Sequence, residues 1–217
     1  MQFDWSTVDT VLLDMDGTLL DLHFDNYFWR KLVPQEYASA QGLVVEEALE
    51  IVEAQYQRVY GTLDWYCVDY WTQVLDLDIR GLKAGASDRI CYLPDAERFL
   101  EGIRALGKQL VLVTNAHQDA LAIKLRRTDL SERVDQVVSS HELNYPKEHG
   151  QFWQHLHARE PFDRQRTLLI EDSLPVLESA RQFGVAHLVA IRRPDTSVPP
   201  RMVDGFQAVD SVADLLA

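Results

Sequence analysis

The chain is poor in cysteine. Among 217 residues only Cys67 and Cys91 occur, too few and too isolated for a disulfide framework or a zinc site. Cys67 lies within Trp65-Tyr66-Cys67-Val68-Asp69-Tyr70-Trp71, where a thiol is expected to act as a small buried apolar group. Positive charge is scarce as well: 21 Lys and Arg stand against 34 Asp and Glu, a formal net charge of -13. That balance opposes non-specific binding to DNA, RNA or an anionic membrane surface. It leaves a small phosphate ester open as a ligand, because a local cation can reverse the field inside a pocket. No stretch approaches the roughly 18 consecutive apolar residues of a membrane span. The first residues, Met1-Gln2-Phe3-Asp4-Trp5, lack the basic start and apolar run of a signal peptide. A cytoplasmic location is therefore expected, with neither nucleic acid nor membrane as partner. Internal repeats and low-complexity linkers are missing too, and nothing in the sequence bears on oligomeric state.

What is present is an ordinary globular composition, 47% hydrophobic and 25% charged, long enough for one domain or for one domain with a smaller insertion. Val11-Leu12-Leu13 reads as a buried strand. Gln109–Asn115 reads as a second, Val134–Ser139 as a weaker third, Thr167–Asp172 as a fourth and Ala186–Ile191 as a fifth, with a short edge strand at Phe206–Val209. Helical patterns fall between them near 95–106, 118–127, 148–158 and 174–183, and Gly107 and Gly184 stand where helix C-caps belong. Strands alternating with helices imply a parallel sheet covered on both faces.

Residues from about 22 to 90 break that rhythm. No convincing strand occurs there. Val44–Tyr60 carries apolar residues at helical spacing (Val45, Ala48, Leu49, Val52, Tyr56, Val59), and Trp65–Leu75 continues in the same style. The segment reads as an all-helical insertion crowded with aromatics. The expected division is a core of residues 1–21 and 91–217 with the insertion at 22–90. Pro194–Pro200 reads as a surface loop.

Polar groups gather at the strand ends. The first strand runs into Asp14-Met15-Asp16-Gly17-Thr18, the second ends in Thr114-Asn115, the fourth in Glu171-Asp172, and Lys147 follows the third within Tyr145-Pro146-Lys147-Glu148. By itself, Asp-x-Asp-Gly is either a cation site or an Asx-type turn. Thr114-Asn115 and Glu171-Asp172-Ser173 can equally cap helices, and a lone lysine is most often solvated. In a parallel sheet, however, these ends share one edge and can converge. His117 either borders that edge or faces solvent. His155 and His157, two apart on a helix, point away from each other and make a poor metal pair.

Together the four motifs resemble the haloacid dehalogenase-like hydrolase superfamily over nearly the whole chain. Asp14–Thr18 matches its first motif, Thr114 with Asn115 its second, Lys147 its third and Glu171-Asp172 its acidic fourth, with Glu-Asp where many members have Asp-Asp. Within the superfamily, the runs Val8–Leu22, Phe24–Trp29, Lys31–Pro34, Trp65–Cys67, Asp69–Trp71, Thr114–His117 and Tyr145–Glu148 are similar to those of bacterial GMP/IMP 5'-nucleotidases. The resemblance implies an α/β fold, a doubly wound parallel-sheet (Rossmann-like) core with an inserted all-helical cap of the C1 type.

It also implies a chemistry. A phosphate monoester repels an attacking anion, by roughly 5 kcal/mol per charge pair at about 3.5 Å and an effective dielectric near 20, so a carboxylate nucleophile needs cations around it. The resemblance assigns Asp14 as nucleophile and Asp16 as general acid and base, the second placed by strand alternation on the same side as the first. It assigns Mg²⁺, for which Mn²⁺ can substitute, to Asp14, the backbone carbonyl of Asp16, Asp172 and Glu171, the last directly or through water. Thr114, Asn115 and Lys147 would bind the phosphoryl group. A purine nucleoside monophosphate is the implied partner, because bases stack on aromatic faces, and Asp25, Asn26, Tyr27 and Trp29 are candidates to line the entrance. A phosphatase or phosphomutase of small sugar phosphates is the alternative on the same core. A dehalogenase does not need the acid at Asp16, and a non-catalytic binder does not need the intact set.

Overall fold

The short apolar runs form a single parallel sheet. The computed structural model describes residues 3–216; Met1, Gln2 and Ala217, which fall in the expected core segments, lie outside them. Strands β1 (Thr10–Leu13), β2 (Gln109–Thr114), β3 (Gln136–Ser139), β4 (Thr167–Glu171), β5 (His187–Ile191) and β6 (Gln207–Val209) are arranged in the order β3-β2-β1-β4-β5-β6. Every adjacent pair is parallel, with Leu13 opposite Leu112 on one side and Ile170 on the other. Each expected strand therefore exists, the first longer by Thr10 and the other five shortened by one to two residues at an end.

Burial explains the continuous apolar runs. All four residues of β1 and all five of β4 are buried, as strands covered on both faces must be. Alternate residues serve different faces: Val11 and Leu13 join Phe99, Leu100 and Ile103 in one cluster, while Leu12 joins Val111, Val113, Phe152 and Trp153 in another. Helices α6 (Ala96–Ala105), α7 (Gln118–Arg127), α8 (Leu130–Arg133), α9 (Ser140–Leu143), α10 (Gly150–Arg159) and α11 (Leu174–Phe183) complete this part. Gly184 closes α11 at φ 100°, and Gly107, one residue past the cap of α6, stands at φ 69°.

Between β1 and β2 the described residues hold helices and no strand: α1 (His23–Tyr27), α2 (Val33–Gln41), α3 (Val45–Val59), α4 (Val68–Leu75) and α5 (Ile79–Gly85). A π-helical stretch, Phe28–Leu32, joins α1 to α2 without a break. Trp65–Leu75 is not one helix, because a 3-10 turn over Leu63–Tyr66 precedes α4. These helices have their own core of Phe28, Val33, Val52, Tyr56, Val68, Trp71, Leu75 and Ile79. The outgoing and returning chains run side by side: Leu20 bridges Tyr92 in antiparallel fashion, Asp21 N–H donates to the Cys91 carbonyl at 2.9 Å, and Leu93 N–H to the Leu19 carbonyl at 2.8 Å. Pro194–Pro200 is more than a surface loop. Asp195 is buried within it and accepts from the Asn26 amide at 2.7 Å.

Candidate active site

Where the sheet order reverses, between β1 and β4, the carboxyl ends of the strands open a crevice. Asp14 leaves β1 there, with Thr114 at the end of β2 on one side and Glu171 at the end of β4 on the other. Lys147 comes from the segment between α9 and α10, held by its own backbone: its N–H donates to Asn115 Oδ1 at 2.9 Å, and its carbonyl accepts from Trp153 Nε1 at 2.9 Å. The buried ammonium reaches Asp14 Oδ1 at 2.5 Å, Glu171 Oε2 at 2.7 Å and the Val113 carbonyl at 3.1 Å.

Three carboxylates, Asp14, Glu171 and Asp172, each bring an oxygen to within 4.8 Å of the others. One ammonium faces them. The surplus is two negative charges, and it shows in their proton affinity. Burial first, then the charge of Glu171, pushes Asp14 up to about 7 against the pull of Lys147. Burial likewise raises Glu171 and Asp172 to about 7. Asp14 Oδ2 is buried with no hydrogen-bond partner. A hard divalent cation with oxygen ligands answers both the charge surplus and the orphaned oxygen. Glu171 is the most committed of the three, since its second oxygen accepts the Ser173 N–H at 3.0 Å.

Asp16 faces a different cation. β1 ends at Leu13, so strand alternation does not govern Asp16; it sits in the turn that follows, bridged to Leu20, where Gly17 adopts φ 90°. Its carboxylate lies 2.6 Å from Lys124 Nζ. Lys124 also reaches Asp25 Oδ2 at 2.6 Å, and Asp25 Oδ1 takes Lys83 Nζ at 2.7 Å. The result is a buried row, Asp16–Lys124–Asp25–Lys83. The two ammoniums hold the Asp25 carboxyl well below the usual range, although burial opposes them. Burial lowers Lys83, whose ammonium also lies 4.3 Å from the Phe28 ring centre and 5.2 Å from that of Trp29.

These groups line one cavity of about 600 Å³, walled above by Trp29, Tyr56, Tyr60, Trp65, Tyr66 and Trp71. Of the four entrance candidates, Trp29 is on the wall. Asp25 and Asn26 line it too, but their side chains are occupied by the two lysines and by Asp195. Tyr27 is not on the wall; Arg89 stacks on its ring at 4.1 Å. The Asn115 side chain is likewise engaged, donating to Glu148 Oε2 at 3.0 Å while holding the Lys147 N–H. The Thr114 hydroxyl accepts the Ala116 N–H at 3.0 Å and keeps its own proton to donate. Lys83, Lys124, Glu148 and Tyr66 are absent from the sequence expectation. Tyr66 and Glu148 fall in runs on which the resemblance rests, but for all four only tertiary contact gives the side chain its role. Tyr66 Oη donates to Glu148 Oε1 at 2.5 Å, tying the helical insertion to the Lys147 segment.

A family model described as haloacid dehalogenase-like hydrolase matches residues 8–184. The chain belongs to this family. It is 44% identical over 212 residues, 98% of its own length and 96% of the relative's, to the GMP/IMP nucleotidase YrfG of Escherichia coli K12, and equally to that of Shigella flexneri. Family and relatives make this haloacid dehalogenase-like hydrolase an enzyme of the phosphoric monoester class. Among solved structures, a HAD phosphatase from Thermococcus onnurineus superposes with a TM-score of 0.79 at 23% identity, covering 96% of both chains. The L-2-haloacid dehalogenase of Xanthobacter autotrophicus superposes at 0.64 with 17% identity, again over 96% of both. These two likenesses concern the fold alone. Among the described residues, no helix of this family member is long and apolar enough to cross a membrane.

Proposed function

We propose that the chain is a Mg²⁺-dependent phosphomonoesterase of purine nucleoside 5'-monophosphates, GMP and IMP among them, working through an aspartyl-phosphate on Asp14. One observation carries this reading: a buried surplus of two negative charges, with a free oxygen on Asp14, forms the floor of a cavity walled by aromatic rings. Its volume, about 600 Å³, lies within the roughly 300–1,000 Å³ of small-molecule sites. Stacking on aromatic faces contributes about 1–3 kcal/mol per base, and the 44% identical relatives are GMP/IMP nucleotidases.

Asp14, Asp172 and the Asp16 carbonyl would hold the ion, with Glu171 behind them through water because both of its oxygens are engaged. Bound there, Mg²⁺ would neutralise the carboxylates and the phosphoryl oxygens. Asp14 attacks phosphorus through one carboxylate oxygen, with the Lys147 ammonium steadying the carboxylate at Oδ1. The Lys147 ammonium offsets charge on the transferring group, and the Thr114 hydroxyl donates to it. Asp16, raised above the usual carboxyl range chiefly by burial, gives its proton to the leaving 5'-oxygen. It then takes one from the water that hydrolyses the acyl phosphate. Manganese is expected to replace magnesium. The helices between β1 and β2, residues 22–90, act as a C1-type cap that excludes water and chooses the leaving group. The location we assign is the cytoplasm.

A phosphate-release screen over GMP, IMP, AMP, glucose 6-phosphate and β-glucose 1-phosphate, with Mg²⁺ or with chelator, tests this. GMP and IMP should lead, and chelation should stop the reaction. Activity confined to sugar phosphates would remove the nucleotidase reading. Asp14→Asn should abolish turnover, and Asp16→Asn should slow both half-reactions.

A further inference from the structure

Among the described residues, one other group of ligating side chains converges outside the carboxylate site. Cys67, His117 and His141 each bring one ligating atom to within 4.8 Å of the others. They come from three places: Cys67 precedes α4 in the helical insertion, His117 precedes α7 at the end of the β2 loop, and His141 lies in α9. Two isolated cysteines argue against a zinc site, but with these two histidines brought to Cys67 we infer that the three form a second metal site, for a borderline divalent ion of the Zn²⁺ kind, which ties the insertion to the sheet edge.

The donor set selects the metal class. A thiolate with two imidazoles suits Zn²⁺ and its neighbours, while Mg²⁺ prefers oxygen. In a tetrahedral zinc site the donor atoms stand roughly 3.4–3.6 Å apart, so small side-chain rotations would close this cluster. Two further observations point to an occupant. His141 Nε2 is buried and has no hydrogen-bond partner, a costly state if nothing satisfies it. Asp69, two residues after Cys67, places a carboxylate oxygen 3.7 Å from His117 Nε2, outside the cluster of three but near enough to swing in as a fourth ligand. The other ring nitrogen of His117, Nδ1, accepts the Asp119 backbone N–H at 3.3 Å; with metal on Nε2 it would instead donate to the Asp119 carboxylate, 3.9 Å away. Nothing strong competes for the sulfur, whose one hydrogen bond among the described residues comes from the Tyr70 N–H at 3.5 Å.

The site adjoins the cavity. Tyr66 and Val68, which flank Cys67, are on the cavity wall, as is Ala116 just before His117. An ion bound to all three residues would therefore restrain the insertion against the core. Co²⁺ replaces Zn²⁺ and reports thiolate ligation through a near-ultraviolet charge-transfer band. With the full-length protein held in excess Mg²⁺, one equivalent of Co²⁺ should produce that band and Zn²⁺ should erase it. Cys91→Ser should retain it, Cys67→Ser should lose it, and His141→Gln, which keeps the helix and the side-chain bulk, should weaken Co²⁺ binding more than about tenfold. No band, or a band that survives Cys67→Ser, overturns the site. Zn²⁺ should also lower turnover of the parent protein more than that of Cys67→Ser, and equal inhibition overturns the restraining role. This last arm rests on the phosphatase reading; the spectral arm does not, so the two can fail separately.

Discussion

Gly17 carries two constraints at once. Its φ of 90° is a conformation that side-chain-bearing residues rarely adopt, and an added Cβ would lie 2.9 Å from Asp172 Cγ and Oδ2 and from Pro194 Cβ. Gly17→Ala should thus destabilise the protein by about 1–3 kcal/mol and push the Asp172 carboxylate away from Asp14. The expected result is a protein that still folds but binds Mg²⁺ at least tenfold more weakly, read by calorimetric titration. Unchanged affinity would show that Gly17 serves the turn only. The three crowded carboxyls make a second prediction at this scale. Asp14, Glu171 and Asp172 are each pushed up to about 7, whereas unfolded carboxyls titrate near 4. Between those values the folded, metal-free protein keeps protons that the unfolded chain has released, so stability falls as pH rises through that window. Mg²⁺ competes with those protons, and its stabilising effect grows over the same range. Melting temperatures with chelator and with Mg²⁺ should diverge from about pH 5 to about pH 8; a constant gap would contradict the assignment. Asp14, Asp16 and Asp172 are legible in the sequence because each lies at or just beyond the end of an apolar run. The role of Glu171 is not, because its engagement with Lys147 and Ser173 is a matter of distance.

Helices α1, α5 and α7 meet through charge rather than through apolar contact alone. Asp25 of α1 stands between Lys83 of α5 and Lys124 of α7, and Lys124 passes the link on to Asp16. Both lysines are buried. Asp25→Asn would leave two ammoniums adjacent with their shared partner gone, and breaking a buried pair from one side costs about 3–5 kcal/mol. Urea unfolding should show a loss of that size. Lys83→Met added to Asp25→Asn should recover part of it, since one unpaired charge is then removed; no recovery would mean that the carboxylate acts through packing. Local periodicity finds α3 and α7 well, because their apolar residues recur at helical spacing. It cannot find this row, whose members are single polar residues on buried faces, nor the break between Trp65 and Leu75.

The whole molecule is a sheet edge facing a helical insertion, with the cavity between. Trp29 reaches that cavity from the π-helical stretch and meets Tyr56 edge-on and Trp71 at a tilt, with ring centres 5.9 and 6.1 Å away. If the wall selects the base, Trp29→Leu should raise KM for GMP about fivefold or more, since a lost stacking contact is worth about 1–3 kcal/mol. Hydrolysis of p-nitrophenyl phosphate, which lacks a purine, should change much less. Equal losses on both substrates would assign Trp29 to the core of the insertion instead.

Strand identity, parallel pairing and the helical break between β1 and β2 follow from the sequence alone, because hydrophobic periodicity and run length are local properties of a chain. The positions of Asp14, Thr114 and Asp172 at strand ends follow with them, whereas Lys147 comes from the segment between α9 and α10. Which cation faces which carboxylate, how Asn115 comes to hold Lys147, and why Cys67 meets two histidines are decided only by tertiary structure. These contacts join residues far apart in the chain, and their energies depend on burial and distance, which no local pattern of residues encodes.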